Sequence, residues 1–203
     1  MKLYELAVDE LRAEDISALS EARRTYAAQH RFEKDRLLCL AAGVLLDRGL
    51  RQYGLCERSV RIAAGKYGKP YLPEHPQIHF SLSHSGERAF AAFSAHEIGC
   101  DIERIRPVRP AVAAHGFTPE EQAQLQHSDR PDVDFFRLWT CKESFLKAIG
   151  TGLQTPLSAF TVRLHPEGAE LIQSLHPASW TLTELSRPGY RLAVCEARSP
   201  TGD

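Results

Sequence analysis

The sequence predicts an α+β protein built as two halves of similar order, and three observations predict it. Segments of helical periodicity precede segments of strand alternation twice along the 203 residues. Short strand-like runs separated by turn signals cluster at 78–105 and again after residue 160. The composition is that of an ordinary globular chain, 43% hydrophobic and 25% charged with no low-complexity tract, and the length allows a real core. No residue-level repeat relates the halves. Their boundary is expected near Ile98, giving units of 1–97 and 98–203.

Residues 17–28 and 33–50 read as helices, the second (EKDRLLCLAAGVLLDRGL) strongly apolar on one side. Between Arg23 and Arg36, five basic residues (Arg23, Arg24, Arg31, Lys34 and Arg36) outnumber the acids Glu33 and Asp35, which a solvated helix face would explain. AAGKYGKPYLPEHP follows as a Gly/Pro-rich loop around an extended Lys69-Pro70; it lacks the spacing of a Walker loop. IHFSLSHS, RAFAAFS and IGCDIERI alternate as strands with turns at SGE and AHE, and predict an antiparallel meander. RPVRP ends the third. Residues 118–126 form a helix opened by Thr118 as N-cap, Pro119 at the first helical position and Glu121 three residues on. A long helix covers 133–149 and stops at the glycines of IGTG. FTVRLHP, SWTLTELS and YRLAVCEA read as three more strands.

Charge and cysteines exclude several classes. A formal net charge of -1 opposes general nucleic-acid binding, which needs a broad basic surface. No apolar run has the length of a membrane span, and MKLYELAVDE carries acids where a signal peptide is apolar. Five scattered cysteines without a CxxC pair fit a reducing compartment better than a disulfide framework or a structural zinc site. A cytoplasmic protein is expected.

Residues 139–152, WTCKESFLKAIGTG, carry the strongest chemical signal. On a helical projection Phe135, Leu138, Trp139, Phe145, Leu146 and Ile149 form one apolar arc, with Lys142 in its middle and Glu143 and Lys147 at its edge. A surface i, i+4 pair would explain Glu143 and Lys147 but not Lys142, because a buried ammonium needs an anion. A glutamate between two lysines suits metal binding or proton abstraction. In GCDIE, Asp101 and Glu103 share one strand face, so a divalent cation would relieve their repulsion; a solvated strand edge is the alternative. FSLSHSG does not make a Ser–His nucleophile pair, since Ser83 and His84 point to opposite faces of a strand. Together these features ask for a polyanion with a cation attached, such as a magnesium pyrophosphate.

In their order, GKYGKP, HFSLSHSG, GCDIE, the Phe117 and Glu121 of FTPEE, and WTCKESFLKAIGTGL resemble the phosphopantetheinyl transferases, specifically the Sfp type. The resemblance runs through FTVRLHPEG and GYRLAVCEA and covers nearly the whole chain. It implies a pseudo-twofold pair of α+β subdomains with the active site between them. It also implies the activity: the 4′-phosphopantetheine arm of coenzyme A passes to a serine of an apo acyl or peptidyl carrier protein, releasing adenosine 3′,5′-bisphosphate. By the same resemblance Asp101, Glu103 and Glu143 bind magnesium, Glu143 serves as base, and Lys147 contacts phosphate. Lys142 holds the pyrophosphate and orients Glu143. Ser83 and His84 hold the coenzyme A phosphates, Lys69 and Pro70 line the adenine site, and Arg36 reaches the 3′-phosphate. A monomer is expected.

Three positions depart from the family's usual pattern. Ser81 stands where asparagine is frequent, Cys100 replaces a branched aliphatic residue, and the basic helix aligns loosely enough that Arg31 or Lys34 could share the role of Arg36. RIRPVRP places Arg104, Arg106 and Arg109 directly after the acidic strand, and Arg106 and Arg109 are the expected docking residues for an acidic carrier. Two rival classes share these residues: a magnesium-dependent pyrophosphate hydrolase and a non-catalytic coenzyme A-binding module.

Overall fold

A computed structural model describes residues 1–108 and 116–198. Two three-stranded antiparallel sheets carry the fold, with strand orders β1-β5-β4 and β6-β10-β9. The first contains β1 (Lys2–Ala7), β4 (His79–Ser85) and β5 (Arg88–Ser94). The second contains β6 (Ile98–Arg104), β9 (Trp180–Arg187) and β10 (Tyr190–Ala197). Each begins with an outer strand, and each centre is the second strand of a later hairpin, so one connectivity occurs twice.

The residues of the central strands explain the layering. In β5, Ala89, Ala91 and Phe93 face the long helix α3 (Glu33–Arg51), where they pack with Ala41, Val44 and Leu45. Phe90 and Ala92 face the other way and join Cys100, Ile102, Leu192 and Val194 between the sheets. In β10, Ala193 and Cys195 pack beneath α5 (Pro131–Ile149) with Leu138, Cys141 and Phe145. A strand buried on both faces reads as continuously apolar, as RAFAAFS does. The order of layers is helix, sheet, sheet, helix.

β6 does not join β4 and β5 in the expected meander. It pairs with β10 in the second sheet, leaving β4 and β5 as a hairpin. Its outer edge meets β4 through side chains: the N–H groups of Cys100, Ile102 and Arg104 donate to Ser81, Ser83 and Ser85 Oγ at 3.0, 3.4 and 3.1 Å. Small hydroxyls at alternate positions thus satisfy edge donors that would otherwise be orphaned.

The helix expected over 17–28 is two helices, α1 (Ala13–Ala18) and α2 (Glu21–Ala28). Ser20 breaks it by capping α2 at the Arg23 N–H, 3.2 Å away, while its own N–H donates to Glu57. α4 (Pro119–Gln126) and α5 match the expected helices, α4 with the Thr118–Glu121 capping box. Two short hairpins complete the description: β2 (Ala63–Ala64) with β3 (Pro70–Tyr71), and β7 (Thr161–His165) with β8 (Gly168–Ile172). β1 and β8 were not anticipated from the sequence.

Candidate active site

Strand alternation puts Cys100 and Ile102 in the core between the sheets, so Asp101 and Glu103 face α5. Gly99 sets how near α5 comes. A Cβ there would lie 2.0 Å from Ser144 O and 2.3 Å from Ala148 N, so only glycine allows this approach. Glu143 and Lys147, one turn apart on α5, are thereby brought to the strand's acids.

Lys147 Nζ lies 2.6 Å from Asp101 Oδ1 and 2.9 Å from Ser83 Oγ. The Ser83 hydroxyl donates to the same Asp101 oxygen at 2.7 Å. Asp101 Oδ2 and Glu143 Oε1 are buried with no hydrogen-bond partner among the described residues. Burial pushes the Glu143 carboxyl up, and the charge of Asp101 adds to it. Burial also pushes Glu103 up; Ser85 opposes and Asp101 reinforces this. Burial alone would lower Lys147, but the surrounding groups, Asp101 foremost and Glu143 among them, together outweigh it and hold the ammonium above its ordinary value. Three acids thus feel one another across a strand and a helix, with Lys147 on Asp101 and Arg106 at the rim on Glu103 as counter-charges.

This cluster adjoins a cleft of about 220 Å³ lined by Tyr67, Lys69, Pro70, Leu82, Lys147 and Gly150. α5 ends at its edge on Gly150, whose φ of 73° is the left-handed conformation that terminates helices. Lys69 Nζ donates to the last-turn carbonyl of Ala148 at 2.5 Å, a favourable position for a cation. His84 is exposed on the opposite face of β4 from Ser83. Partial desolvation and then the charge of Lys147 keep its imidazole below its usual pKa. Asp35 and His30 also act on His84, so the start of α3 is nearby. Arg31, Lys34 and Arg36 are all exposed there.

Lys142 requires a correction. It does not face the cleft beside Glu143 and Lys147: its side chain is fully buried, and Nζ lies 2.6 Å from Glu121 Oε1, also fully buried. The carbonyls of Leu157 and Phe160 accept its other two N–H bonds at 2.8 and 2.6 Å. All three donors are used, so no N–H remains for a ligand. The anion that Lys142 demands is supplied by the protein. Glu121 also accepts from the N–H groups of Thr118 and Val162, at 2.8 and 2.7 Å. It ties α4, α5 and β7 together. Sequence reasoning assigned Glu121 to the capping box and missed this second role.

Arg106 lies beside Glu103 Oε2 at 3.5 Å with its guanidinium 4.9 Å from the Phe136 ring centre. Arg109 lies outside the described residues. Among the described residues no three His, Cys, Asp or Glu side chains are gathered as a ready metal site. The donor set nevertheless suits a hard cation: carboxylates only, two of them with a buried, unpartnered oxygen.

A family model for the 4′-phosphopantetheinyl transferase superfamily matches residues 97–195, which include the β6 acids and all of α5. Among characterised proteins, the chain is 34% identical to the 4′-phosphopantetheinyl transferase ffp of Bacillus subtilis, covering 98% of this chain and 93% of that protein. It is likewise 34% identical to the 4′-phosphopantetheinyl transferase Sfp of Bacillus subtilis strain 168, over 97% and 92% of the two chains. A solved holo-(acyl-carrier-protein) synthase from Bacillus anthracis, in complex with CoA (3′,5′-ADP), is 20% identical with a TM-score of 0.45, covering 51% of this chain and 96% of that one. The chain belongs to the 4′-phosphopantetheinyl transferase superfamily.

Proposed function

We propose that this protein transfers the 4′-phosphopantetheine arm of coenzyme A to a serine of an apo acyl or peptidyl carrier protein, releasing adenosine 3′,5′-bisphosphate. The observation that carries the reading is the pair of buried, unpartnered oxygens, Asp101 Oδ2 and Glu143 Oε1, beside Lys147 at the lysine-lined cleft. Full-length similarity to transferases of this activity supports it.

Glu143 takes the proton of the incoming serine hydroxyl, directly or through a water; its raised pKa makes it a stronger base than an ordinary glutamate. The serine oxygen bonds to the pantetheine-side phosphorus as the bond from that phosphorus to the bridging oxygen breaks, and the bisphosphate leaves. Lys147 turns from Asp101 to the pyrophosphate and offsets the charge that builds on the departing group. Asp101, Glu103 and Glu143 would hold magnesium, which when bound supplies Lewis-acid polarisation of the pyrophosphate oxygens. Lys69 and Pro70 border the adenine, Ser83 and His84 the phosphates, and Arg36, with Arg31 or Lys34, the 3′-phosphate.

In this reading residues 1–97 form the nucleotide side and residues 98–203 the catalytic side. One chain supplies both, so a monomer suffices. The arginines after β6 would meet the acidic face of the carrier. No helix among the described residues is long and apolar enough to cross a membrane, and the five cysteines are free, which suits a cytoplasmic setting.

Incubation with coenzyme A, magnesium and an apo acyl carrier protein, followed by weighing the carrier, tests the reading. The expected result is one added phosphopantetheine per carrier. Loss of coenzyme A with an unchanged carrier would indicate hydrolysis instead, and binding without turnover a non-catalytic module.

A further inference from the structure

Glu103 is half-buried, as Glu143 is, but it is held from the strand beside it, whereas Glu143 Oε1 has no partner among the described residues. The Ser85 hydroxyl donates to Glu103 Oε2 at 2.7 Å, and Arg106 Nη1 reaches the same oxygen at 3.5 Å. No hydrogen bond from the described residues goes to Oε1. Ser85 Oγ is itself fixed, because it accepts the N–H of Arg104 at 3.1 Å. That bond occupies a lone pair and leaves the hydroxyl proton to the carboxylate. The serine thus joins β4 to β6 and aims a β6 side chain at once.

Such a hold has a physical purpose. Asp101 and Glu103 are like charges on one strand face, and a partly exposed glutamate has enough rotamers to swing into solvent. A carboxylate pinned through one oxygen keeps the other for a ligand and loses less entropy when a cation arrives. Hydrogen-bond partners behind a metal ligand commonly change affinity by one to two orders of magnitude. Arg106 adds a second, more exposed hold, its guanidinium resting on the buried ring of Phe136.

Resting on the magnesium reading above, we propose that Ser85 is a positioning residue: it holds Glu103 by Oε2 so that Oε1 is presented, pre-aimed, to the divalent cation.

The test uses manganese ion as probe, titrated into the full chain with saturating coenzyme A and no carrier, bound ion being read by electron paramagnetic resonance. Ser85→Ala should weaken manganese affinity by about tenfold, the lower end for such partners, while Ser85→Thr, which keeps the hydroxyl, should restore it. Both variants should remain folded at the assay temperature by thermal unfolding, so that the lost affinity is read in a folded protein. Ser85→Ala also gives up the Arg104 bond and its midpoint falls modestly, whereas the manganese loss is specific to the aimed carboxylate. Equal affinity in wild type and Ser85→Ala overturns the positioning role. If Asp101→Asn and wild type are equally blind to manganese, the metal reading fails and the positioning role falls with it. If Asp101→Asn alone loses the ion, only the positioning role falls.

Discussion

Lys142 and Glu121 meet at 2.6 Å with neither side chain exposed to solvent, and together they fasten α4, β7 and the segment ending at Phe160 onto α5. Breaking such a pair strands one charge in the core. Lys142→Met should therefore cost about 3–5 kcal/mol of stability, measured by urea unfolding. Replacing both partners, with Glu121→Leu added, should recover part of the loss. Coenzyme A affinity of the folded Lys142→Met protein should equal wild type. A fall in that affinity with unchanged stability would put Lys142 back in the cleft.

Gly99 lets α5 lie against β6. Its Cβ positions are occupied by helix backbone, Ser144 O and Ala148 N, which cannot swing away as a side-chain tip could. Gly99→Ala should displace α5, separating Lys147 from Asp101, and lower both stability and transfer, each by more than a typical surface change of about 0.5 kcal/mol. Wild-type unfolding and turnover would show that the helix accommodates the methyl freely.

Asp101 and Lys147 neutralise each other here, so removing the aspartate side chain leaves an ammonium without its anion. Asp101→Asn also removes the charge, but it retains an oxygen to accept from Ser83 and Lys147, and the partly exposed ammonium keeps access to water, so it is the milder variant than alanine. It should abolish magnesium-dependent transfer with little loss of stability. Chelation of magnesium from the wild type should have the same effect on transfer, and re-addition should reverse it. Near-normal turnover of Asp101→Asn in magnesium would remove the strand from the metal site.

Much of this was legible in the sequence, and the gaps have physical reasons. Period-two alternation in GCDIE puts Asp101 and Glu103 on one face whatever sheet the strand joins, so that inference survives. The same alternation cannot tell which strand lies beside which, so β6 was assigned to the wrong sheet. The helical projection placed Lys142 inside the apolar arc, which is where it lies, but a projection is blind to what faces that arc. Its anion stands 21 positions earlier in FTPEE, already explained by a cap. The serines of FSLSHS carried a signal that went unread: small hydroxyls at every second position mark a strand face that another strand approaches edge-on.

Carrier docking is expected at Arg106 and Arg109, beside Arg104 at the end of β6. Arg106 is engaged with Glu103, so its reversal would disturb the acids as well as the surface. Arg104→Glu with Arg109→Glu spares it. That double variant should raise KM for an acidic acyl carrier protein several-fold and leave KM for coenzyme A unchanged, with the difference shrinking as salt rises. Unchanged constants at low salt would place the docking surface elsewhere.

The most direct test of the whole account is the single-turnover rate of Glu143→Gln, with coenzyme A, magnesium and apo carrier all saturating. Glutamine keeps the size of the side chain but neither its charge nor its basicity. The rate of arm transfer should fall at least about a hundredfold, while coenzyme A affinity, which the proposed reading assigns to Lys69, His84 and Lys147, should be retained. Transfer at the wild-type rate would contradict the assignment of Glu143 and, with it, the mechanism built on its buried, unpartnered oxygen.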